Sequence, residues 1–296
     1  MMSLAAIVLL ILKISIILSV LAIGLKATFA DATYLFRHPA QLVRALLSLN
    51  VLMLVFALAL VAAFDLHPAV KIALVALAVS PVPPIFPNKA FKAGGTENYI
   101  IGLLAATAAL SVILIPLAME ICERIAGKPL TMTARSVFSM VLTTVLLPLL
   151  VGIGVRALAP KLAERVASPL AKVALVLLVA SALPVLFGMA RPMLSLVGDG
   201  TILGLSAFAL VAFVVGHLLG GPEPANRTTL ALATASRHPA IALAIAHTNF
   251  PEQKLAAPVV FMYLILSGVL SGVYLAWVKR HDVAHPAGET KHAVKA

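Results

Sequence analysis

The sequence predicts an all-α integral membrane protein with nine or ten transmembrane helices, and three observations support this fold class. Of the 296 residues, 62% are hydrophobic and only 11% are charged, whereas about a quarter of the residues of a soluble domain are charged. Apolar runs near the roughly 20 residues needed for one crossing fill most of the chain. The loops between them are short, which excludes a soluble enzyme or an added soluble domain.

Apolar runs can be delimited along the whole chain. They cover residues 4–25, 42–64, 69–80, 99–119, 136–158, 169–189, 202–220, 228–247 and 255–278. We expect the first run to stay in the protein as a helix and not to be cleaved as a signal peptide. It is too long, has no basic residue before it and contains Lys13. The stem of Lys13 is expected to lie along the helix while its amine reaches the interface.

The charge distribution agrees with a membrane topology. The net charge is +11, and the Lys and Arg residues of the loops place the C-terminus in the cytoplasm by the positive-inside rule. No basic cluster is interleaved with aromatic residues, so nucleic-acid binding is not expected. We expect a protein of a bacterial inner (plasma) membrane, with the polar residues 279–296 forming a cytoplasmic tail.

The sequence predicts neither a metal site nor a cofactor. Cys122 is the single cysteine, which excludes intramolecular disulfides and cysteine-rich metal sites. The tail histidines His281, His285 and His292 are irregularly spaced, and no carboxylate cluster joins them. They are therefore expected to be solvated and not to bind a metal.

A proline cluster interrupts the apolar pattern at residues 80–88. The run 69–80 is too short to cross a membrane alone, and it is followed by Pro81, Pro83, Pro84 and Pro87. Each proline removes a backbone donor and opposes a continuing helix. The stretch is either one broken helix, which gives nine crossings, or two short helices, which give ten. The count of Lys and Arg in the loops mildly favours nine.

A second interruption, at residues 236–239, lies inside the run 228–247. Pro239 cannot donate to the carbonyl of Ala235, and it disfavours helical geometry at His238. Backbone groups freed at membrane depth survive only where they are buried in protein or line a wet cavity. The interruption therefore predicts a buried polar site near the middle of the membrane.

The two interruptions occupy corresponding places. Each lies late in its half of the chain and has one full apolar run after it. Paired interrupted helices predict a secondary transporter built from two inverted repeats, at residues 1–160 and 161–278. Transport would then proceed by one domain rocking against the other.

Several motifs make a family resemblance specific. In the second half they are GHLLG at 216–220, NRTT at 226–229 and LAIA at 243–246. In the first half they are the break at 80–81, the glycine pair at 94–95, and LSV at 110–112 with Pro116. Together they resemble the bile acid:sodium symporter family. The resemblance implies ten helices, a core domain with two crossing broken helices, a flatter panel domain, and substrate bound between the domains near the crossing.

The sequence departs from this family at the sodium site. The family's crossing helix carries a glutamate, followed four and five residues later by glutamine and asparagine. The corresponding positions here are Ala233, Arg237 and His238, and only Asn88 can stand for the asparagine of the first break. A guanidinium about 4 Å from sodium would repel it by several kcal/mol at intermediate dielectric. The departure therefore implies that the inherited sodium sites are lost.

Arg237 is the main candidate for a functional role, because a charge inside a span costs about 2.5–3.5 kcal/mol and usually marks a path for substrate or ions. Three roles stay open for it. The guanidinium snorkels or satisfies freed carbonyls, it replaces sodium as a fixed charge that holds the crossing together, or it contacts an anionic substrate near the half-helix N-termini.

Further polar residues are expected around Arg237. Ser236, Thr234 and His238 are its neighbours in sequence, while Ser80 and Asn88 belong to the opposing break. His238 is either a neutral histidine bonded to the backbone or the carrier of a coupling proton.

Lys89 and Lys92, beside the first break, are interpreted as cytoplasmic loop charges that also attract anions.

These residues predict a secondary transporter of small organic anions that is coupled to protons or works as an uncoupled exchanger and is not coupled to sodium in the family's way. A non-transporting receptor or scaffold on a degenerate transporter fold is the alternative. An enzyme is not expected, because the sequence has no His-Glu-x-x-His pair and no intramembrane carboxylate pair. Ser236 near His238 lacks an acid to orient the histidine.

Overall fold

A computed structural model describes residues 4–127, 129–130, 132–198 and 200–284 of the chain. In this part of the chain all the regular structure is helical. The main helices are α1 (Leu4–Gly24), α2 (Pro39–Ala63), α3 (Pro68–Val79), α4 (Phe86–Lys92), α5 (Glu97–Ala126), α6 (Ala134–Leu158), α7 (Pro160–Leu194), α8 (Thr201–Leu219), α9 (Pro224–Ala235), α10 (Pro239–Asn249) and α11 (Ala256–Ala284). Two single-turn helices, Phe29–Ala32 and Tyr34–Arg37, connect α1 to α2.

Six of these helices are long and apolar enough to cross a membrane: α2, α5, α6, α7, α8, and α11 as far as Arg280. The predicted all-α membrane class is therefore confirmed. The cytoplasmic tail at residues 279–296 stays a prediction, and its first residues, as far as Ala284, continue the helix α11. The rest of that tail, with His285 and His292, lies outside the described residues.

The proline cluster breaks the helix as its chemistry requires. Helix α3 ends at Val79, Ser80 is in extended geometry (φ −70°, ψ 143°), and α4 begins at Phe86. The second break separates α9 from α10, with Ser236 (φ −96°, ψ 123°) and His238 (φ −76°, ψ 102°) both extended. Both predicted interruptions are therefore present.

Two of the long helices contain a turn of π-helix. One lies at Leu47–Leu52 within α2, the other at Leu142–Leu146 within α6. A π turn shifts the backbone register by one residue and displaces carbonyls from the regular hydrogen-bond ladder, and such turns are frequent at functional sites. The turn in α2 borders the second break.

The helices pack as two groups. Helix α1 packs against α6 and α7, while α2–α5 and α8–α11 surround a large hydrophobic core that includes Leu74, Phe208 and Tyr263. The N-terminal half of α6 also packs against α5 and contributes Val141 to this core. The helix α7 buries only 11% of its most apolar window within the chain, so most of that surface is left for lipid. Lys13 lies on α1 with an exposed side chain.

Glycines permit the closest helix contacts in each group. A Cβ on Gly24 of α1 would lie 2.4 Å from the Leu149 carbonyl oxygen of α6. In the other group, a Cβ on Gly216 of α8 would lie 2.5 Å from the Ala231 Cα of α9. Real Cβ atoms do not approach backbone this closely, so only glycine fits at these positions. Gly216 of the GHLLG motif thus allows α8 to pack closely against α9, which helps to position the second break.

Candidate functional site

The two breaks meet in the interior of the protein. Helix α3 packs against α10 and α4 packs against α9, so the interrupted helices cross at their breaks. The backbone N–H of His238 donates to the carbonyl oxygen of Pro81 at 3.0 Å. The ring of His238 caps α10, since its Nδ1 accepts from the Ile241 N–H at 3.4 Å. Backbone groups freed by one break are thus paired with the other break or with its own cap.

The guanidinium of Arg237 occupies the centre of this crossing and is fully buried. Its Nη1 donates to the carbonyl oxygens of Leu49 (2.9 Å), Ser80 (3.2 Å) and Ala78 (3.3 Å). Ala78 and Ser80 lie at the C-terminal end of α3, where unpaired carbonyls and the helix dipole favour a positive charge. Leu49 belongs to the π turn of α2. One cation therefore joins three irregular segments of backbone.

The charge of Arg237 is met by dipoles and not by an anion. In the described part of the chain the ion pairs are Lys71–Asp65 and Arg124–Glu120, both with exposed carboxylates. The Phe208 ring centroid lies 5.9 Å from Cζ of Arg237 and adds a cation–π contact. Nε and Nη2 of Arg237 and Nε2 of His238 are buried without a hydrogen-bond partner.

Thr234 connects the last turn of α9 to the π turn of α2. Its hydroxyl donates to the Leu230 carbonyl at 2.8 Å, and it lies 2.7 Å from the hydroxyl of Ser48. Because the Thr234 proton is used by Leu230, Ser48 is the donor of the second bond. Both side chains are buried, so the pair fixes α2 against α9 beside Arg237.

Helix α11 supplies the remaining support of the second break. The hydroxyls of Tyr263 and Ser267 both donate to the Ala235 carbonyl, each at 2.7 Å. That carbonyl ends α9 and has lost its helical partner at Pro239. Two donors from one face of α11 therefore replace the missing backbone bond.

The structure brings most of the predicted site residues together. Arg237, His238, Ser80 and Thr234 are all buried at the crossing, and Ser236 lies half-buried between them in the chain. The hydroxyl of Ser80 donates to the Leu77 carbonyl of its own helix at 2.8 Å. The backbone carbonyl of Ser80 is the group that accepts from Arg237.

Asn88 lies elsewhere, on an exposed face of α4. Its Nδ2 donates to the Ser19 hydroxyl of α1 at 3.3 Å. Asn88 therefore connects α4 to α1. It does not hydrogen-bond to Arg237, whose acceptors are the carbonyls of Leu49, Ala78 and Ser80.

The interpretation of Lys89 and Lys92 as loop charges is wrong. Both lie in α4, which resumes directly after the prolines because the first turn of a helix tolerates proline. Lys92 is exposed, whereas Lys89 is half-buried and its Nζ donates to the Ser271 hydroxyl of α11.

Sequence reasoning missed several residues of the site, namely Ser48, Leu49, Ala78, Phe208, Tyr263 and Ser267. For α11 a signal was present, since Tyr263, Ser267 and Ser271 recur every four residues and so share one face of an otherwise apolar helix. For Leu49 the contributing group is a backbone carbonyl, which leaves no trace in residue type.

Comparison with known proteins identifies one family. The model of the Sodium Bile acid symporter family matches residues 13–194. The match includes the first break, and the second break lies beyond it. Comparison with curated proteins gives no match.

Proposed function

Because the chain belongs to the Sodium Bile acid symporter family, we propose that it is a secondary transporter of small organic anions that works by alternating access. The family consists of membrane transporters and not of enzymes. The observation that carries the finer proposal is the buried guanidinium of Arg237, bonded to three carbonyls where the two interrupted helices cross.

The helix order supports two inverted repeats at residues 1–160 and 161–278. Helices α1, α2, the broken pair α3–α4 and α5 correspond in order to α7, α8, the broken pair α9–α10 and α11. If each broken pair crosses once, the chain crosses nine times. The intervening helix α6 then makes the second set start from the opposite side of the membrane, which inverts its direction.

The packing supports a core and a panel. We assign α2–α5 and α8–α11 to the core and α1, α6 and α7 to the panel, with the N-terminal half of α6 packed against α5 of the core. Both lie in the bilayer of a bacterial inner membrane, and the C-terminus is on the cytoplasmic side. Substrate binds between core and panel, and rocking of one against the other exposes it to either side.

Sodium coupling of the family's kind does not fit the crossing. Carbonyls at broken helix ends are the groups with which such transporters hold sodium, and here those of Leu49, Ala78 and Ser80 already receive a guanidinium. A second cation about 4 Å away would be repelled by several kcal/mol. We therefore propose that Arg237 is a built-in cation and that transport is proton-coupled or an uncoupled exchange.

This assignment leaves Arg237 a supporting role. Its side chain is fully buried and bonded to three carbonyls, so we infer that it stabilises the crossing and does not carry the substrate charge. Five further polar residues are proposed to line the substrate path: Ser236, Thr234, His238, Ser80 and Asn88.

Uptake into liposomes tests the proposal. Purified protein is reconstituted, sodium, proton and potassium gradients are imposed separately, and uptake of a panel of labelled carboxylates and sulfonates is followed. We expect uptake of at least one anion without a sodium gradient. A strict requirement for sodium would refute the built-in cation.

Binding of an anion without any uptake would favour the alternative, a receptor on a transporter fold. The observation that favours a receptor is the full burial of Arg237, because this cation is part of the chain and cannot dissociate as a coupling ion would.

A further inference from the structure

Lys89 is a cation at the edge of the crossing whose described partner is a neutral hydroxyl. Its Nζ donates to Ser271 of α11. The Ser271 hydroxyl is buried and donates in turn to the Ser267 carbonyl at 2.5 Å. An ammonium has three protons to donate, so this one bond leaves capacity for another acceptor.

The ammonium of Lys89 takes part in none of the ion pairs found in the described residues, which join Lys71 to Asp65 and Arg124 to Glu120. Its side chain is nevertheless half-buried. A partly desolvated charge without a counter-ion is unfavourable, and in membrane proteins such charges mark paths of substrates or ions. Lys89 is thus a candidate contact for an anion from outside the chain.

The position of Lys89 links the two helix groups. The adjacent Asn88 is exposed and donates to Ser19 of α1, a helix that packs with α6 and α7. On the other side, Ser267 lies one turn from Ser271 and donates to the Ala235 carbonyl at the second break. Lys89 therefore stands at the boundary between core and panel, connected through α11 to the crossing.

We propose that Lys89 binds the acidic group of the transported substrate, a carboxylate or similar oxyanion, by turning its ammonium from Ser271 to the substrate. Asn88 offers an amide donor beside it. Arg237 is unsuited to this role because it is fully buried and bonded to three carbonyls. This inference rests on the proposed transport of organic anions and names the residue that recognises their charge.

The test compares Lys89→Met with Lys92→Met. Both remove one lysine from the same short helix, but Lys92 is exposed and serves as the matched control. In liposomes we expect K89M to raise the KM for the labelled anion about tenfold, as loss of a charge-assisted bond should. K92M should keep the wild-type KM, and Lys89→Arg should restore most of the affinity.

A second measurement separates recognition from a merely structural role. Uptake of the anion is competed with the same anion and with its neutral amide. Wild type should prefer the acid, and K89M should lose this preference. Retention of the preference by K89M, or equal KM values for K89M and K92M, would overturn the inference.

A third variant keeps the test valid if K89M does not fold. Ser271→Ala keeps the charge and removes the competing acceptor, so it should lower the KM for the anion. An unchanged or raised KM in S271A would count against Lys89. Failure of wild type to take up any anion would instead remove the proposed function, which distinguishes the two failures.

Discussion

Nη1 of Arg237 lies 2.9 Å from the carbonyl oxygen of Leu49, a residue 188 positions earlier in the chain. The carbonyl belongs to a π turn of α2 and the guanidinium to the break between α9 and α10. Each of these segments has backbone groups that its own helix does not pair. The bond shows that the irregular turn of α2 and the break complete each other.

Removal of the guanidinium should therefore loosen the whole crossing. In Arg237→Ala, the carbonyls of Leu49, Ala78 and Ser80 lose a buried donor, and we expect the free energy of unfolding to fall by about 3 kcal/mol or more. Thermal unfolding of the purified protein in detergent measures this loss. Millimolar guanidinium should raise the Tm of the variant, because the free ion fits the vacated carbonyls, and should leave wild type unchanged.

Arg191→Ala is the control for this experiment, since Arg191 is an exposed arginine near the end of α7. It should change the Tm little and show no response to guanidinium. Equal stability of the two variants would contradict the role of Arg237 as a built-in cation.

Restoring a carboxylate should restore a response to sodium. Ala233 lies one turn before Arg237 in sequence and is fully buried. In the double variant Ala233→Glu, Arg237→Gln, the built-in cation is gone and a carboxylate is added, so a small cation is needed to balance the buried charge. We expect sodium, compared with N-methylglucamine, to raise the Tm of the double variant and to stimulate its uptake.

The single variant Arg237→Gln should lose uptake and gain no response to sodium. Sodium dependence in wild type, or its absence in the double variant, would contradict the proposal that Arg237 replaces a bound sodium ion.

The sequence revealed features whose physical cause is local. Pro81 and Pro239 break their helices wherever these helices pack, and a charge such as Arg237 is conspicuous in an apolar run. The roles of Leu49 and Lys89 depend on distant partners. The carbonyl of Leu49 lies in a π turn that no residue type signals, and Lys89 reaches Ser271 only because α4 and α11 meet in the folded chain.

The hydroxyl pair beside Arg237 should contribute measurably to stability. Thr234→Val leaves the Ser48 hydroxyl without its acceptor, and Ser48→Ala removes the donor. A double-mutant cycle should give a coupling energy of about 1 kcal/mol in thermal or denaturant unfolding. Thr107→Val is the matched control, because Thr107 is buried and bonds only to carbonyls of its own helix. Coupling of Thr107→Val to Ser48→Ala, or additive effects at 48 and 234, would contradict the contact.

Close packing of α1 on α6 should depend on Gly152 of α6 as well as on Gly24 of α1. A Cβ on Gly152 would lie 2.6 Å from the Leu21 carbonyl oxygen and 2.7 Å from the Gly24 Cα, and these backbone atoms cannot turn away. Overpacking of this kind costs about 1–3 kcal/mol, so Gly152→Ala should lower the Tm.

Gly154, two residues further along α6, has open space around its Cα. Gly154→Ala should keep or slightly raise the Tm, because alanine favours a helix by up to about 1 kcal/mol over glycine. If both variants had the same Tm, α1 and α6 would not be in backbone contact. That result would count against the rigid panel that the proposed rocking of core against panel requires.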